Sequence, residues 1–260
     1  MNILFEIHQG LPREGPGDDG STRRALALVI TGMPVPHPAP LKRRPTYPRI
    51  LDIGCGPGMQ TCVLAKETGG HVVAVDTHRP YLQQLTRRAQ NEGVLSHVAP
   101  VNASMFALPF GDGTFDLIWA EGAIYISGFE RGLCDWRRLL APSGFVAVTE
   151  LSWLRPDPPA EAVAFWEAGY PGMRSVDENL AIVAAAGYSD VGHFVLPESS
   201  WWDHYYTPLE ERIKLLRDRY RGDLDVTRQL DGTAFQITLY RKYSDSYGYV
   251  FYVMQLQEKR

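Results

Sequence analysis

The chain has 260 residues, 45% of them hydrophobic and 22% charged, which is ordinary globular composition with enough mass to bury about three quarters of the unfolded chain's surface. Its net charge of −4 arises wholly in residues 151–260, which argues against a protein that grips nucleic-acid phosphates. No apolar run approaches the roughly 18 residues of a membrane span, no signal-peptide pattern opens the chain, and Cys55, Cys62 and Cys134 lack the spacing of a zinc or disulfide framework. These features imply one domain in the reducing cytoplasm, with the cysteines serving as packing. Eleven of the 29 aromatic residues lie in residues 1–150 and the other 18 in the shorter remainder, so the two stretches are expected to do different work.

In chain order, residues 10–20 carry four glycines and two prolines and read as an irregular N-terminal arm. Ser21-Thr22 offers a cap for a helix through Ile30, ended by Gly32 and Pro34. Six prolines and the run Lys42-Arg43-Arg44 make residues 34–48 a surface linker. Strand-like runs then follow at 49–53, 71–75, 97–101, 115–120 and 144–151. They alternate with helices predicted at 60–67, 80–91 and 130–140. Alternation of this kind predicts a parallel sheet covered on both faces. Beyond residue 151 the spacing predicts helices at 160–168, 179–186 and 209–220, and strands at 190–196 and 247–256. The expected fold is a Rossmann-like, doubly wound α/β sheet of seven strands, mostly parallel with the last antiparallel. An N-terminal arm and helix (1–48), a cofactor-binding core (49–151) and acceptor-side elements with a helical cap (152–260) would make up the single domain.

The strongest local signal is Ile50-Leu51-Asp52-Ile53-Gly54-Cys55-Gly56-Pro57-Gly58, a strand running into a helix that begins near Gln60. Such a turn lies at the carboxyl edge of a parallel sheet, where ligands bind. Glycine there removes the Cβ atoms that would block a ligand's approach, and the helix N-terminus adds unpaired N–H groups. A dinucleotide loop of the form Gly-x-Gly-x-x-Gly requires glycine at position 59, where Met59 stands. A Walker A loop is excluded because no Gly-Lys-Ser/Thr follows. The second predicted strand ends at Asp76, 22 residues after Gly54, near the spacing of about 20 expected of an acid that binds ribose hydroxyls.

The pattern Asp-x-Gly-x-Gly-x-Gly resembles motif I of the class I S-adenosylmethionine-dependent methyltransferases. The segment Ser104-Met105-Phe106-Ala107-Leu108-Pro109-Phe110, followed by Phe115-Asp116-Leu117-Ile118, is similar to that family's next motif. Ser104 stands where the family carries an acid toward adenine, so a hydroxyl would make that contact. Residues 120–137, 149–153, 165–166 and 202–206 extend the likeness to a bacterial group of small-molecule methyltransferases, over about residues 14–220.

The resemblance implies that Asp52, Gly54, Cys55, Gly56, Gly58, Gln60, Asp76, Thr77, His78, Ser104, Met105 and Glu121 bind S-adenosylmethionine, with S-adenosylhomocysteine as product. Catalytic candidates are Glu121 and His204 as general base and Tyr125 as a wall of the acceptor pocket. Glu121 serves equally well as partner of the cofactor's ammonium, His204 as a plain surface or core histidine, and Tyr125 as core. The implied acceptor is a small, partly apolar molecule, with no metal, no membrane and no nucleic acid, and the protein a monomer or homodimer. Two alternatives stand beside this reading: a nicotinamide-dinucleotide oxidoreductase of the same fold, and a non-catalytic S-adenosylmethionine-binding partner protein.

Overall fold

The structure is a computed structural model that describes residues 3–32 and 48–257. The predicted linker at 34–48, with its Lys42-Arg43-Arg44 run, lies outside the described residues except for Pro48. The chain opens with a short helix that the local pattern does not announce, α1 (Ile3–His8), and continues through the irregular arm into α2 (Asp19–Gly32). The cap of α2 is Asp18 rather than Ser21-Thr22. Its carboxylate accepts from the Ser21 N–H at 2.7 Å and the Ser21 hydroxyl at 2.8 Å, so the helix starts at Asp19, three residues earlier than a Ser21 cap predicts.

The central order is β1 (Arg49–Ile53), α3 (Met59–Thr68), β2 (His71–Asp76), α4 (Arg79–Asn91), β3 (Val98–Asn102), β4 (Phe115–Ala120), α5 (Phe129–Trp136) and β5 (Leu140–Trp153). Helix α5 stops four residues before the predicted end. Leu140 already pairs with Phe115 in the sheet, and one tight turn at Arg137–Leu139 bridges the two elements. Then come α6 (Ala160–Gly169), the two-residue β6 (Arg174–Ser175), α7 (Val176–Ala185), β7 (Tyr188–Val195), α8 (Glu198–Trp201), a π turn at Trp202–Tyr206, α9 (Thr207–Arg219), α10 (Leu224–Tyr243) and β8 (Tyr247–Leu256). Helix α7 starts earlier than its apolar pattern because Ser175 and Glu178 form a reciprocal capping box.

The strands form one sheet in the order β3-β2-β1-β4-β5-β8-β7, with β6 on the end of β5. Strands β1 to β5 run parallel, whereas β8 runs antiparallel to both β5 and β7. This is the expected Rossmann-like sheet with an antiparallel last strand, plus the short β6. Alternation along β1 sends Ile50 to the core beneath α2, α3 and α4 and Leu51 to the core beneath α5 and α7. A third core joins α1, α9 and α10 around Trp201, Tyr206, Tyr240 and Tyr247. Chain order reverses between β1 and β4, so the loops after these two strands meet at a crevice on the carboxyl edge of the sheet.

Helix α10 escapes sequence reading for a physical reason. Leu230, Ile237 and Tyr240 give it an apolar stripe, but Thr233 and Gln236 interrupt that stripe and line a cavity instead. A helix that faces both a core and a cavity loses the periodicity by which helices are recognised.

Candidate cofactor and acceptor site

The loop after β1 is pinned from behind. Gly54 and Cys55 N–H donate to the Val75 carbonyl at 2.8 and 3.0 Å. Asp52 is fully buried beneath the loop and accepts from the Thr61 hydroxyl at 2.6 Å and from the Gln60 amide at 3.3 Å. Burial pushes its carboxyl up to about 7, against the pull of the Thr61 hydrogen bond. Asp52 therefore braces the turn, while Gln60 also lines the cavity above it and donates to the Cys55 carbonyl at 3.0 Å.

Two glycines are required by contact as well as by φ. A Cβ on Gly54 (φ +71) would stand 2.5 Å from the Ala123 Cβ, and one on Gly58 (φ +83) would stand 2.1 Å from Leu85 Cδ1. Gly58 thus serves the packing of α4 against the start of α3 and does not line the cavity, whereas Gly54, Cys55 and Gly56 do.

Asp76, at the end of β2, holds the turn from in front. It accepts from Gly56 N–H at 3.0 Å and His78 N–H at 2.7 Å, and it lines a cavity of about 160 Å³ together with Thr77, Ser104, Met105 and Ile126. Gly54 lines this cavity and also the adjoining one over the loop. The Ser104 hydroxyl accepts from Phe106 N–H at 3.2 Å. His78 stacks under Phe5 of α1, ring centroids 4.0 Å apart, and is not among the lining residues.

The N-terminal arm, unremarkable as sequence, closes the crevice. Arg13 and Glu121 form an ion pair at 2.7 Å with both side chains 5% exposed. Glu121 also accepts from the Thr22 hydroxyl at 2.7 Å and the Trp119 indole at 2.9 Å. Its carboxylate is thus committed to three donors, which suits an anchor better than a base. Arg13 and Glu121 both line the cavity over the glycine loop, and Arg13 Nε is buried there without a hydrogen-bond partner among the described residues. Truncating Arg13 strands a buried carboxylate. Arg13→Ala is therefore expected to lower unfolding free energy by about 3 kcal/mol, read from the urea midpoint.

Glu14 follows on the arm. It accepts from the Tyr81 hydroxyl at 2.5 Å, and burial, reinforced by the nearby charge of Asp76, pushes its carboxyl up to about 7. Glu14, Gly15, Pro16 and Gly122 line both the cavity over the loop and a larger one of about 280 Å³. The larger cavity is walled by Tyr125, Leu151, Trp166, Tyr170, Trp201, Tyr205 and Tyr249, with His8, Thr233 and Gln236 at polar positions.

The aromatic surplus of the second half thus divides. Trp166, Trp201 and Tyr205 line the cavity, as does Tyr249 on β8, while Trp153, Phe165, Trp202 and Tyr206 pack in or against the third core. Of the proposed catalytic residues, Tyr125 reaches the cavity wall. His204 is half-buried on the π turn and lines neither cavity; its neighbour Tyr205 does, hydrogen-bonded to His8 at 3.2 Å. Cys55 and Cys62 are buried, whereas Cys134 is exposed and so does not serve as core packing. Among the described residues no cluster of His, Cys, Asp and Glu is arranged to hold a metal, and no helix is long and apolar enough to cross a membrane.

Behind the cavity wall, Glu150 on β5 is 1% exposed and accepts from the Tyr170 hydroxyl at 2.5 Å, while its second carboxylate oxygen is buried without a partner among the described residues. Burial raises its carboxyl to about 8. Because the folded value lies above the unfolded one near 4.5, Glu150 contributes stability that is full below pH 4.5 and is lost as pH rises toward 8. In Glu150→Gln the fall in urea midpoint between pH 5 and pH 8 should be shallower than in the parent; an identical slope would contradict a buried, protonated Glu150.

Comparison with known proteins agrees with this geometry. Residues 50–144 match a family described as a methyltransferase domain. The chain is 32% identical over 104 residues to the methyltransferase GfsG of Streptomyces halstedii, covering 40% of this chain and 37% of that protein. It is 28% identical over 217 residues to the 27-O-demethylrifamycin SV methyltransferase of Amycolatopsis mediterranei, covering 78% of this chain and 75% of that one. The chain therefore aligns with well under half the length of GfsG, and much more fully with the rifamycin enzyme. In fold it is similar to a methyltransferase from Geobacter sulfurreducens solved with S-adenosylhomocysteine, with a TM-score of 0.78, 18% identity, and 99% and 98% of the two chains covered.

Proposed function

We propose, from the premise that this chain carries a methyltransferase domain of the class I S-adenosylmethionine-dependent kind, that it methylates a small, partly apolar molecule. The observation that carries the reading is the junction at Glu14, Gly15, Pro16 and Gly122, where a cavity floored by the glycine loop meets one walled by aromatic rings. The relatives support the same reading: GfsG and the rifamycin enzyme are both named as methyltransferases, and the second is named for a small-molecule acceptor.

The residues fit the cofactor. Gly54 and Gly56 bring bare backbone to the cavity floor, beside Gln60 in the first turn of α3. Asp76 lines the cavity with Thr77, Ser104 and Met105, a set that suits ribose hydroxyls and an adenine ring packed against a thioether. The unpartnered Nε of Arg13 suits the carboxylate of the methionine portion, and Glu121 its ammonium. When bound, the cofactor supplies a sulfonium methyl whose carbon–sulfur bond breaks, the pair remaining on sulfur, as the acceptor's lone pair forms the new bond.

The protein's part is mainly to align and desolvate. Tyr125, Tyr205 and Tyr249 hold the acceptor against the junction, and Pro16 with Gly122 keeps the partners within reach. Where the acceptor must lose a proton, Glu14 is better placed than His204 or Glu121, because it lines both cavities. Titration of the full chain with S-adenosylhomocysteine in a calorimeter tests the reading: micromolar affinity is expected, and no heat with either cofactor form would overturn it. The nicotinamide alternative has no observation in its favour, since Met59 begins α3 where that loop needs a third glycine.

A further inference from the structure

The charge and chemistry of the larger cavity select among acceptors. We propose that it takes a cationic amine with an apolar body, the nitrogen held at Glu14 beside the junction and the body lying among the rings; this rests on the methyl-transfer reading above. Three observations carry it.

First, among the described residues no lysine or arginine lines the cavity. Arg13 is the nearest in sequence to the junction, and its guanidinium is taken up by Glu121 and Asp19 on the other side. A phosphorylated or carboxylate acceptor would enter this cavity without a countercharge, at a desolvation cost that aromatic contact does not offset.

Second, six tyrosine and tryptophan rings form the walls. Ring faces attract ammonium groups, most strongly when water is excluded. A neutral alcohol gains the same apolar contact but none of that attraction.

Third, among the described residues one carboxyl on the cavity lining, Glu14, and one behind it, Glu150, are incompletely compensated. Glu14 receives one hydrogen bond, from Tyr81, and faces Asp76, a like charge. Glu150 stands behind Tyr170 with one oxygen unpartnered, and the charge that opposes its burial comes from Arg174, which lies outside the wall. Both carboxyls are held up by burial, to about 7 and about 8. A bound ammonium would favour the ionised form of Glu14 directly and of Glu150 through the field, and the Glu14 carboxylate would then take the ammonium proton, freeing the nitrogen lone pair that methyl transfer requires.

The test uses the full chain without cofactor and three probes of one shape: 3-phenylpropylamine, 3-phenylpropanol and 3-phenylpropionate. Calorimetric affinities are expected in that order, with the amine at least tenfold tighter than the alcohol. Glu14→Gln should cut the amine preference to threefold or less while leaving the alcohol unchanged. Thr233→Lys, at a half-buried position on α10 that lines the cavity, should weaken the amine and admit the acid. If Glu14→Gln fails to fold by circular dichroism, Thr233→Lys decides alone. Equal or tighter binding of the alcohol, binding of none of the three, or an amine preference untouched by the substitutions would overturn the proposal. Titration with S-adenosylhomocysteine separates the two readings. A chain that binds it without amine preference defeats this inference alone, and a chain that prefers amines but binds no cofactor defeats the methyl-transfer reading on which it rests.

Discussion

Replacing Asp76 with alanine is expected to abolish measurable binding of S-adenosylhomocysteine while leaving the chain folded. Two ribose hydroxyls donating to one carboxylate are charge-assisted bonds of about 1.5–3 kcal/mol each, so their joint loss corresponds to a weakening of between about 10² and 10⁴. The same carboxylate also accepts from Gly56 and His78 N–H, and its removal frees the turn that presents the cradle. Asp76→Asn separates these roles. The amide oxygen can still accept one backbone bond, but it lacks the charge, so the turn should persist and affinity should fall by an intermediate factor. Calorimetry of the three proteins reads the effect, with circular dichroism as the control for folding. Retention of parental affinity by Asp76→Ala would remove Asp76 from the binding site.

A large loss of stability is expected from Gly58→Ala. At φ +83 an L-residue occupies the left-handed region at a cost of about 1–2 kcal/mol. The added methyl would also stand 2.1 Å from Leu85 Cδ1 and 3.0 Å from Leu85 Cβ, in the packing between α3 and α4. Overpacking of that kind costs about 1–3 kcal/mol. A total near 3 kcal/mol follows from the two effects, measured as a shift in urea midpoint at constant slope. Leu85→Ala in the same chain removes the Cδ1 clash but not the backbone strain, so the double variant should recover the overpacking part relative to the sum of the single variants. An additive pair would mean that the two side chains do not meet.

The glycine loop was legible because its chemistry is local. Spacing of glycines fixes where the backbone can turn with positive φ, and Asp76 follows from the length of one strand–helix–strand unit. The strand boundaries at 49–53, 115–120 and 247–256 were also legible, since continuous β-branched and aromatic runs have no other place to go than a buried sheet. The alternation of strand and helix then determined the parallel sheet and its carboxyl-edge crevice.

What the tertiary structure alone decided is what covers that crevice. Arg13 meets Glu121 across 108 residues, and Tyr81 meets Glu14 across 67; no local period relates such partners. As sequence, the arm at 10–20 showed only glycine and proline, so its lack of regular structure was readable and its role as the wall between two cavities was not. Likewise the number of rings in the second half announced an aromatic region, but whether a ring of the third core only packs, as Tyr206 does, or also lines the cavity, as Tyr205 does, depended on the turn of one residue about a helix whose neighbours come from α1 and α10. The sequence by itself determined the half that carries the glycine loop, where backbone conformation shapes the cavity. The aromatic cavity is decided by side chains converging from distant elements, and only the folded chain brings them together.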